Sequence, residues 1–145
     1  MNVSRTRLAG LGFALVALGA SAYLTYAHYT SPDVLVCSDA GRVNCEAVTT
    51  SSWSQVAGVP VSLLGLLWAI AMVALFLPAA DRWPRSAGLR RLGALAGAIS
   101  VLWLVYVEFV LVGAICVWCT VVHVATLGMF AITSAGLDGP RDQPA

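Results

Sequence analysis

Apolar residues occur in long runs along this chain, and most charged residues lie between the runs. Two runs contain no Asp, Glu, Lys or Arg, one over about residues 8–29 and one over about 59–80. A third, from Leu92 to Leu137, is too long to cross a bilayer once at about 1.5 Å per helical residue. It must therefore reverse, and we predict the break in "LVGAIC" at 111–116. The pattern predicts helices at about 8–29, 59–80, 89–112 and 115–135.

The composition places these helices in a lipid bilayer. Of 145 residues, 59% are hydrophobic and only 10% are charged, which leaves too little polar surface to cover a soluble domain. We therefore predict an all-α membrane protein, a four-transmembrane-helix bundle forming one domain over residues 1–145. The formal net charge of +1 and the absence of a basic run argue against nucleic-acid binding.

The arginines predict how the chain crosses the membrane. Positive residues concentrate on the cytoplasmic side of helices, and here they flank one set of helix ends, while the other connections contain only Arg42. Both termini of this multi-pass protein of the cell membrane are therefore predicted to be cytoplasmic, with the loop 30–58 on the outer face. Alternatively, "GASA" at 19–22 marks a cleaved signal peptide, although the apolar run continues to span length. The flanking arginines are Arg5, Arg7, Arg82, Arg85, Arg90, Arg91 and Arg141.

All four cysteines fall on this predicted outer face, where disulfides persist. Cys116 and Cys119 form a CxxC at the start of the fourth helix, where the helix terminus favours the reactive thiolate. Cys37 and Cys45 lie in the loop and can close a small ring. Two pairs on one face indicate a thiol–disulfide relay. Two other interpretations stay open: a static loop staple with lipid-facing CxxC cysteines, and a zinc site with four ligands.

Three motifs around these cysteines share a pattern with a known family. They are "CSDAGRVNCEAVTTSSW" from Cys37, "GVPVSLLG" at 58–65 and "ICVWCT" at 115–120. Together they resemble the vitamin K epoxide reductase family in its bacterial, disulfide-forming form, from Leu8 to about Ala135. The resemblance implies a bundle around a quinone, with a short horizontal helix in the outer loop as a lid. Many bacterial relatives carry a fused thioredoxin-like domain after the helices, and we expect none here.

The resemblance also implies a reaction. We expect a quinone-dependent thiol oxidase, a thiol:quinone oxidoreductase, that regenerates the disulfide of a separate exported thioredoxin-fold oxidase. Electrons would enter at Cys37, pass from Cys45 to Cys116, and leave from Cys119 to a membrane quinone. Menaquinone, ubiquinone and phylloquinone are equally compatible with the sequence.

Two departures from the animal enzymes bear on the substrate. Val61 replaces an asparagine and His123 replaces a tyrosine, and a quinone acting as oxidant suits these residues better than reduction of vitamin K epoxide. The alternatives to a thiol oxidase are a vitamin K or quinone reductase, and a non-enzymatic redox sensor or assembly protein with a structural loop disulfide.

Four residues are candidates for binding the quinone. Ser51 matches the family's serine, and His123 follows Cys119 by one helical turn, so both could donate hydrogen bonds to it. Trp53 and Trp118 lie beside the matched motifs and could stack on the ring. The alternative roles are a helix cap for Ser51, packing for His123 and interfacial anchoring for the tryptophans. We expect Glu108 to be solvated at the membrane interface, with a proton relay as the alternative.

Overall fold

The described part of the chain forms five α-helices joined by short turns. This computed structural model describes residues 3–37 and 41–136, with side chains from residue 5 onward. Residues 38–40 of the predicted outer loop, and 137–145 with Arg141, lie outside the described residues. The helices are α1 (Val3–Tyr29), α2 (Cys45–Thr49), α3 (Val61–Phe76), α4 (Ser86–Tyr106) and α5 (Val117–Ser134). A small antiparallel hairpin pairs β1 (Gln55–Val56) with β2 (Val59–Pro60). Helix α4 continues into a π-helical turn (Val107–Val112). Three 3-10 turns of the described residues cover Pro32–Val34, Ser52–Ser54 and Pro78–Arg82.

Four of these helices form the bundle. Three segments, Arg5–Tyr29, Ser86–Val112 and Val117–Ser134, are long and apolar enough to cross a membrane. The apolar α3 has 16 residues, which correspond to about 24 Å, less than the roughly 30 Å of a bilayer's hydrocarbon core. The predicted all-α architecture is confirmed, including the short helix α2 between the first two long helices.

The second predicted helix, 59–80, is too long at both ends. Its first two residues belong to β2, and α3 begins at Val61. The helix ends at Phe76 because Leu77 is extended. Leu77 precedes Pro78, and the proline ring disfavours the helical conformation of the residue before it. The apolar run that follows Phe76 therefore turns instead of continuing as a helix.

Helix α1 is central to the packing. It lies along α3 on one side and α5 on the other, and α4 packs against α5. Buried Ala14, Ala17 and Ser21 are small, so neighbouring backbones approach α1 closely. On α4, Gly97 allows a similarly close contact, since a Cβ at this position would lie 2.6 Å from the Trp68 ring. This close packing fixes the helix ends relative to one another.

Charged side chains close one end of the bundle. Arg7 pairs with Asp81, and its Nε donates to the Phe76 carbonyl at 3.1 Å. Buried Arg90 donates to the Leu75 carbonyl at 3.0 Å and lies 3.7 Å from Asp81. The last carbonyls of a helix lack partners within it, and cations there also complement the helix dipole. The start of α1, the end of α3 and the start of α4 therefore meet at this end.

The chain reverses between α4 and α5 where the sequence predicts it. After the π-helical turn, Gly113 has a φ of 72°, in the left-handed region that favours glycine. The N–H groups of Gly113 and Ala114 both donate to the Glu108 carbonyl. The predicted break at 111–116 is confirmed, and Ile115 is left outside both helices.

Candidate active site

The loop cysteines form a disulfide at the end of the bundle opposite the arginines. Cys37 and Cys45 are bonded, and the 6.1 Å between their Cα atoms lies within the range usual for disulfides. Cys45 is the first residue of α2, and Asn44 caps this helix by accepting a hydrogen bond from the Ala47 N–H at 2.8 Å. Cys37 follows the extended segment after the first 3-10 turn. The bond therefore joins an extended segment to a helix start.

A backbone bridge places this loop against the CxxC. The Ile115 N–H donates to the Arg42 carbonyl at 2.8 Å, and the Asn44 N–H donates to the Ile115 carbonyl at 3.1 Å. The start of α2 therefore lies beside the start of α5. Cys45 and Cys116 are 1% and 0% exposed and belong to one buried cluster. The relay pairs that the sequence predicts are thus brought together.

The CxxC opens α5, as the sequence predicts. Cys116 is the N-cap residue, and its Sγ accepts a hydrogen bond from the Cys119 N–H at 3.3 Å. Both are free thiols, Cys116 buried and Cys119 half-buried. The helix-terminal N–H thus points at Cys116. The pKa of the Cys116 thiol is lowered, chiefly because the Cys119 thiol donates a hydrogen bond to it, with burial opposing the shift and the Cys119 N–H assisting it.

Trp118, between the two CxxC cysteines, binds the segment that leads to Cys37. Its indole N–H donates to the Val36 carbonyl at 3.1 Å, and its ring packs edge-on against Tyr23 with 4.8 Å between centroids. The polar atom of Trp118 is therefore already hydrogen-bonded within the protein. Quinone stacking on this residue stays a prediction.

Ser51 and Trp53 lie in the short segment between α2 and the hairpin. The Ser51 hydroxyl donates to the Val48 carbonyl at 2.8 Å, one turn back in the chain. Trp53 is exposed and packs edge-on against Trp103 of α4, with 6.2 Å between ring centroids. Neither residue belongs to the buried cluster that holds Cys45 and the CxxC. A quinone role for both stays a prediction.

His123 fits a hydrogen-bonding role toward a quinone. It follows Cys119 by four residues on α5 and is 7% exposed. Within residues 3–37 and 41–136, no group is hydrogen-bonded to its imidazole. A buried polar group without a partner is costly, and a quinone carbonyl would supply an acceptor for an imidazole N–H. The residues present therefore fit such a group.

Glu108 is the residue that the sequence misplaces. The expectation that it is solvated at the interface is wrong, because its side chain is 4% exposed. The π-helical turn and the reversal at Gly113 fold it back onto the start of α5, where its carboxylate interacts with the Cys116 backbone N–H and the Cys119 thiol. One sequence signal could have found it, since Glu108 is the only acidic residue in the long apolar stretch from 92 to 137.

The sequence also matches a known protein family. A sequence model of the vitamin K epoxide reductase family matches residues 8–134. The matched segment reaches from α1 into the last turn of α5 and includes all four cysteines. It covers well over half of the chain, so the resemblance carried by the cysteine motifs is confirmed.

The Cys119 hydrogen bond yields a testable prediction about Cys116. Replacing Cys119 by alanine removes the S–H donor, so the pKa of Cys116 should rise. The ultraviolet absorbance of thiolates, followed during a pH titration of the detergent-solubilised protein with the loop disulfide closed, reports this. In the parent protein the first thiolate should form below the ordinary thiol pKa of about 8.5, and in Cys119→Ala the transition should move upward.

The control for this titration is Cys116→Ala, which should lose the low-pH transition altogether. An unchanged transition in Cys119→Ala would show that the Cys119 thiol does not stabilise the Cys116 thiolate.

Proposed function

The chain belongs to the vitamin K epoxide reductase family, and we propose that it is a thiol:quinone oxidoreductase that forms disulfides. Members of this family are membrane thiol–disulfide oxidoreductases that use quinone-type electron carriers and interact with thioredoxin-like partners. In this proposal the protein regenerates the disulfide of a separate exported thioredoxin-fold oxidase and passes the electrons to a membrane quinone.

The placement of the two cysteine pairs is the observation that carries this proposal. A staple that only closes the loop would not need to lie against a second pair of thiols. Here the bridge between Val43 and Ile115 sets Cys45 beside the CxxC, and Cys45 and Cys116 share one buried cluster. The loop disulfide is closed while the CxxC is a dithiol, which is one state of a relay.

Successive thiol–disulfide exchanges move the electrons in the proposed cycle. A thiolate of the reduced partner attacks the Cys37 sulfur, the Cys37–Cys45 bond breaks, and Cys45 leaves as a thiolate. Cys45 then attacks Cys116 in its disulfide with Cys119, and Cys119 leaves as a thiolate. The partner's second thiolate releases Cys37, which attacks Cys45, restores the loop disulfide and frees Cys116. One partner dithiol has become a disulfide, and the CxxC disulfide has become a dithiol.

A membrane quinone bound beside this dithiol would reoxidise it by accepting two electrons and two protons from it. His123 and Cys119 lie one helical turn apart on α5, so the imidazole would hold a quinone carbonyl on the side of the helix that carries the thiol. Menaquinone, ubiquinone and phylloquinone all offer such a carbonyl. The buried environment excludes water from the thiols during the exchange.

Glu108 takes the proton of the Cys119 thiol in this proposal. Its carboxylate is buried against that thiol, and ionisable groups at this depth in a bundle are commonly part of proton pathways. Oxidation of a dithiol to a disulfide releases two protons, which end on the reduced quinone. In a buried site water is not available to carry them there, so Glu108 would take the Cys119 proton and pass it on. Glu108 is therefore a catalytic residue in the reoxidation of the CxxC.

The proposed orientation puts the cysteine end of the bundle outside the cell membrane. Arg7 and Arg90 lie at the opposite end, and positive residues favour the cytoplasmic side. Disulfide formation also needs an oxidising compartment, which the outer face supplies.

Labelling with a membrane-impermeant thiol reagent tests this orientation. Ser52→Cys and Ala79→Cys place exposed reporters at the two ends of the bundle. In intact cells the Ser52→Cys variant should gain label over the parent protein, whereas Ala79→Cys should gain it only after the membrane is opened. The reverse pattern would overturn the proposed orientation.

Oxidation of a reduced thioredoxin-fold protein tests the activity. Purified protein given this probe and a soluble short-chain quinone should form the probe's disulfide while quinone absorbance falls. Cys45→Ala removes the resolving thiol, so it should stop turnover and accumulate a Cys37–probe mixed disulfide, visible on non-reducing gels.

Cys37→Ala is the matched variant for that experiment and should form no complex. If both variants trap the probe equally, the assigned direction of the relay is wrong. If quinone absorbance does not change with the wild-type protein, a non-enzymatic redox sensor accounts for the cysteines better.

Replacing Glu108 by glutamine tests the proton step. The amide keeps the shape of the side chain but cannot take a proton, so quinone-dependent reoxidation of the reduced CxxC should slow by about a hundredfold. Stopped-flow quinone absorbance measures this rate. Exchange between the probe and the loop disulfide should be unchanged, which shows that the variant is folded.

Glu46 is an exposed residue of α2, so Glu46→Gln is the control, and its CxxC should be reoxidised at the parent rate. Equal reoxidation rates in Glu108→Gln and Glu46→Gln would remove the proton role of Glu108.

A further inference from the structure

Two aromatic side chains form hydrogen bonds with the backbone of the segment Val34–Cys37, here called the arm. The Tyr23 hydroxyl donates to the Val34 carbonyl and accepts a hydrogen bond from the Val36 N–H at 3.1 Å. The Trp118 indole N–H donates to the Val36 carbonyl at 3.1 Å. Both backbone groups of Val36 are therefore bound, and the residue next to Cys37 is fixed.

The two rings tie the arm to two different helices. Tyr23 belongs to α1 and Trp118 to α5, and the rings meet edge-on with 4.8 Å between centroids and 73° between planes. The Val36 side chain is 81% exposed, so burial of this side chain does not hold the arm in place. Leu35 is buried and anchors the base of the arm, while the hydrogen bonds from the rings hold the part nearest Cys37.

We propose that Tyr23 and Trp118 are positioning residues that keep Cys37 within reach of Cys45 while the loop disulfide is open. This inference rests on the proposed relay, in which Cys37 must return to Cys45 after the partner leaves. Once the disulfide opens, it no longer ties the arm to α2, and the ring contacts remain. Because Trp118 lies between the CxxC cysteines, its hydrogen bond holds the arm at the start of α5, near the second pair.

The hydrogen bonds of Tyr23 and Trp118 to the arm, here called the clamp, and the disulfide stabilise each other by linkage. A closed disulfide already restricts the arm, so the hydrogen bonds to the rings then cost less conformational entropy to form. By reciprocity the clamped arm favours closure of the disulfide to the same extent. The effective concentration of Cys37 at Cys45 is therefore raised by the clamp.

The reduction potential of the loop disulfide tests this coupling without a quinone or a protein partner. The CxxC is replaced by Cys116→Ser and Cys119→Ala, so that only Cys37 and Cys45 titrate against a dithiothreitol redox buffer. Tyr23→Phe removes only the hydroxyl, and Trp118→Phe keeps an aromatic ring but removes the indole N–H. Each should shift the equilibrium about tenfold toward the dithiol, which is about 30 mV less negative for this two-electron couple.

Tyr26→Phe and Trp83→Phe are matched controls, since both rings are exposed and neither contacts the arm. They should leave the potential at the parent value. Potentials of Tyr23→Phe and Trp118→Phe equal to those of the controls would overturn the proposal, as would the same shift in all four variants. Because the assay contains no quinone or protein partner, failure here is separate from failure of the proposed oxidase activity.

Discussion

The backbone pairing of Ile115 with Arg42 and Asn44 is the contact on which the redox site depends. It is made by a segment that belongs to no helix, because the π-helical turn and Gly113 end the preceding helix just before it. Among the described residues, the segment between α1 and α3 would without this pairing be joined to α5 only through side chains. With it, the starts of α2 and α5 are adjacent, and the sulfurs of Cys45 and Cys116 enter one buried cluster.

The buried ionisable groups lie toward the two ends of an otherwise apolar bundle, and the partners that the fold gives them differ between the ends. At one end, Arg90 forms an ion pair with Asp81 at 3.7 Å and donates a hydrogen bond to the Leu75 carbonyl of α3, so its burial supports the fold. At the other end, His123 has no hydrogen bond from the described part of the chain, and Glu108 meets a thiol. A buried group left unsatisfied by the fold is available for chemistry, which supports the proposal that the redox reaction takes place at the second end.

The cysteines differ in how deeply they are buried, and this difference suits a relay. Cys45 and Cys116 are almost fully buried at helix starts, where backbone hydrogen bonds fix them. Cys37 lies at the end of a segment that is held by two aromatic side chains and a buried leucine. A thiol that exchanges with an outside partner needs access, whereas the thiols that hand electrons inward need proximity and exclusion of water.

The sequence alone predicted the helices, their reversal and the position of the CxxC at a helix start, because these depend on local properties. Apolar runs, the glycine at 113 and the spacing of Cys116 and Cys119 act over a few residues, and the cysteine motifs were enough to indicate the family. It also predicted the four helices of the bundle, although α3 is shorter than predicted, because its first two predicted residues belong to β2 and Pro78 ends it at Phe76. The tertiary structure alone decided the burial of Glu108, the hydrogen bond of Trp118 to the arm and the meeting of the two cysteine pairs. Each joins residues that are distant in the chain or separated by a turn whose geometry the hydrophobic pattern does not encode, so only the packed helices bring them together.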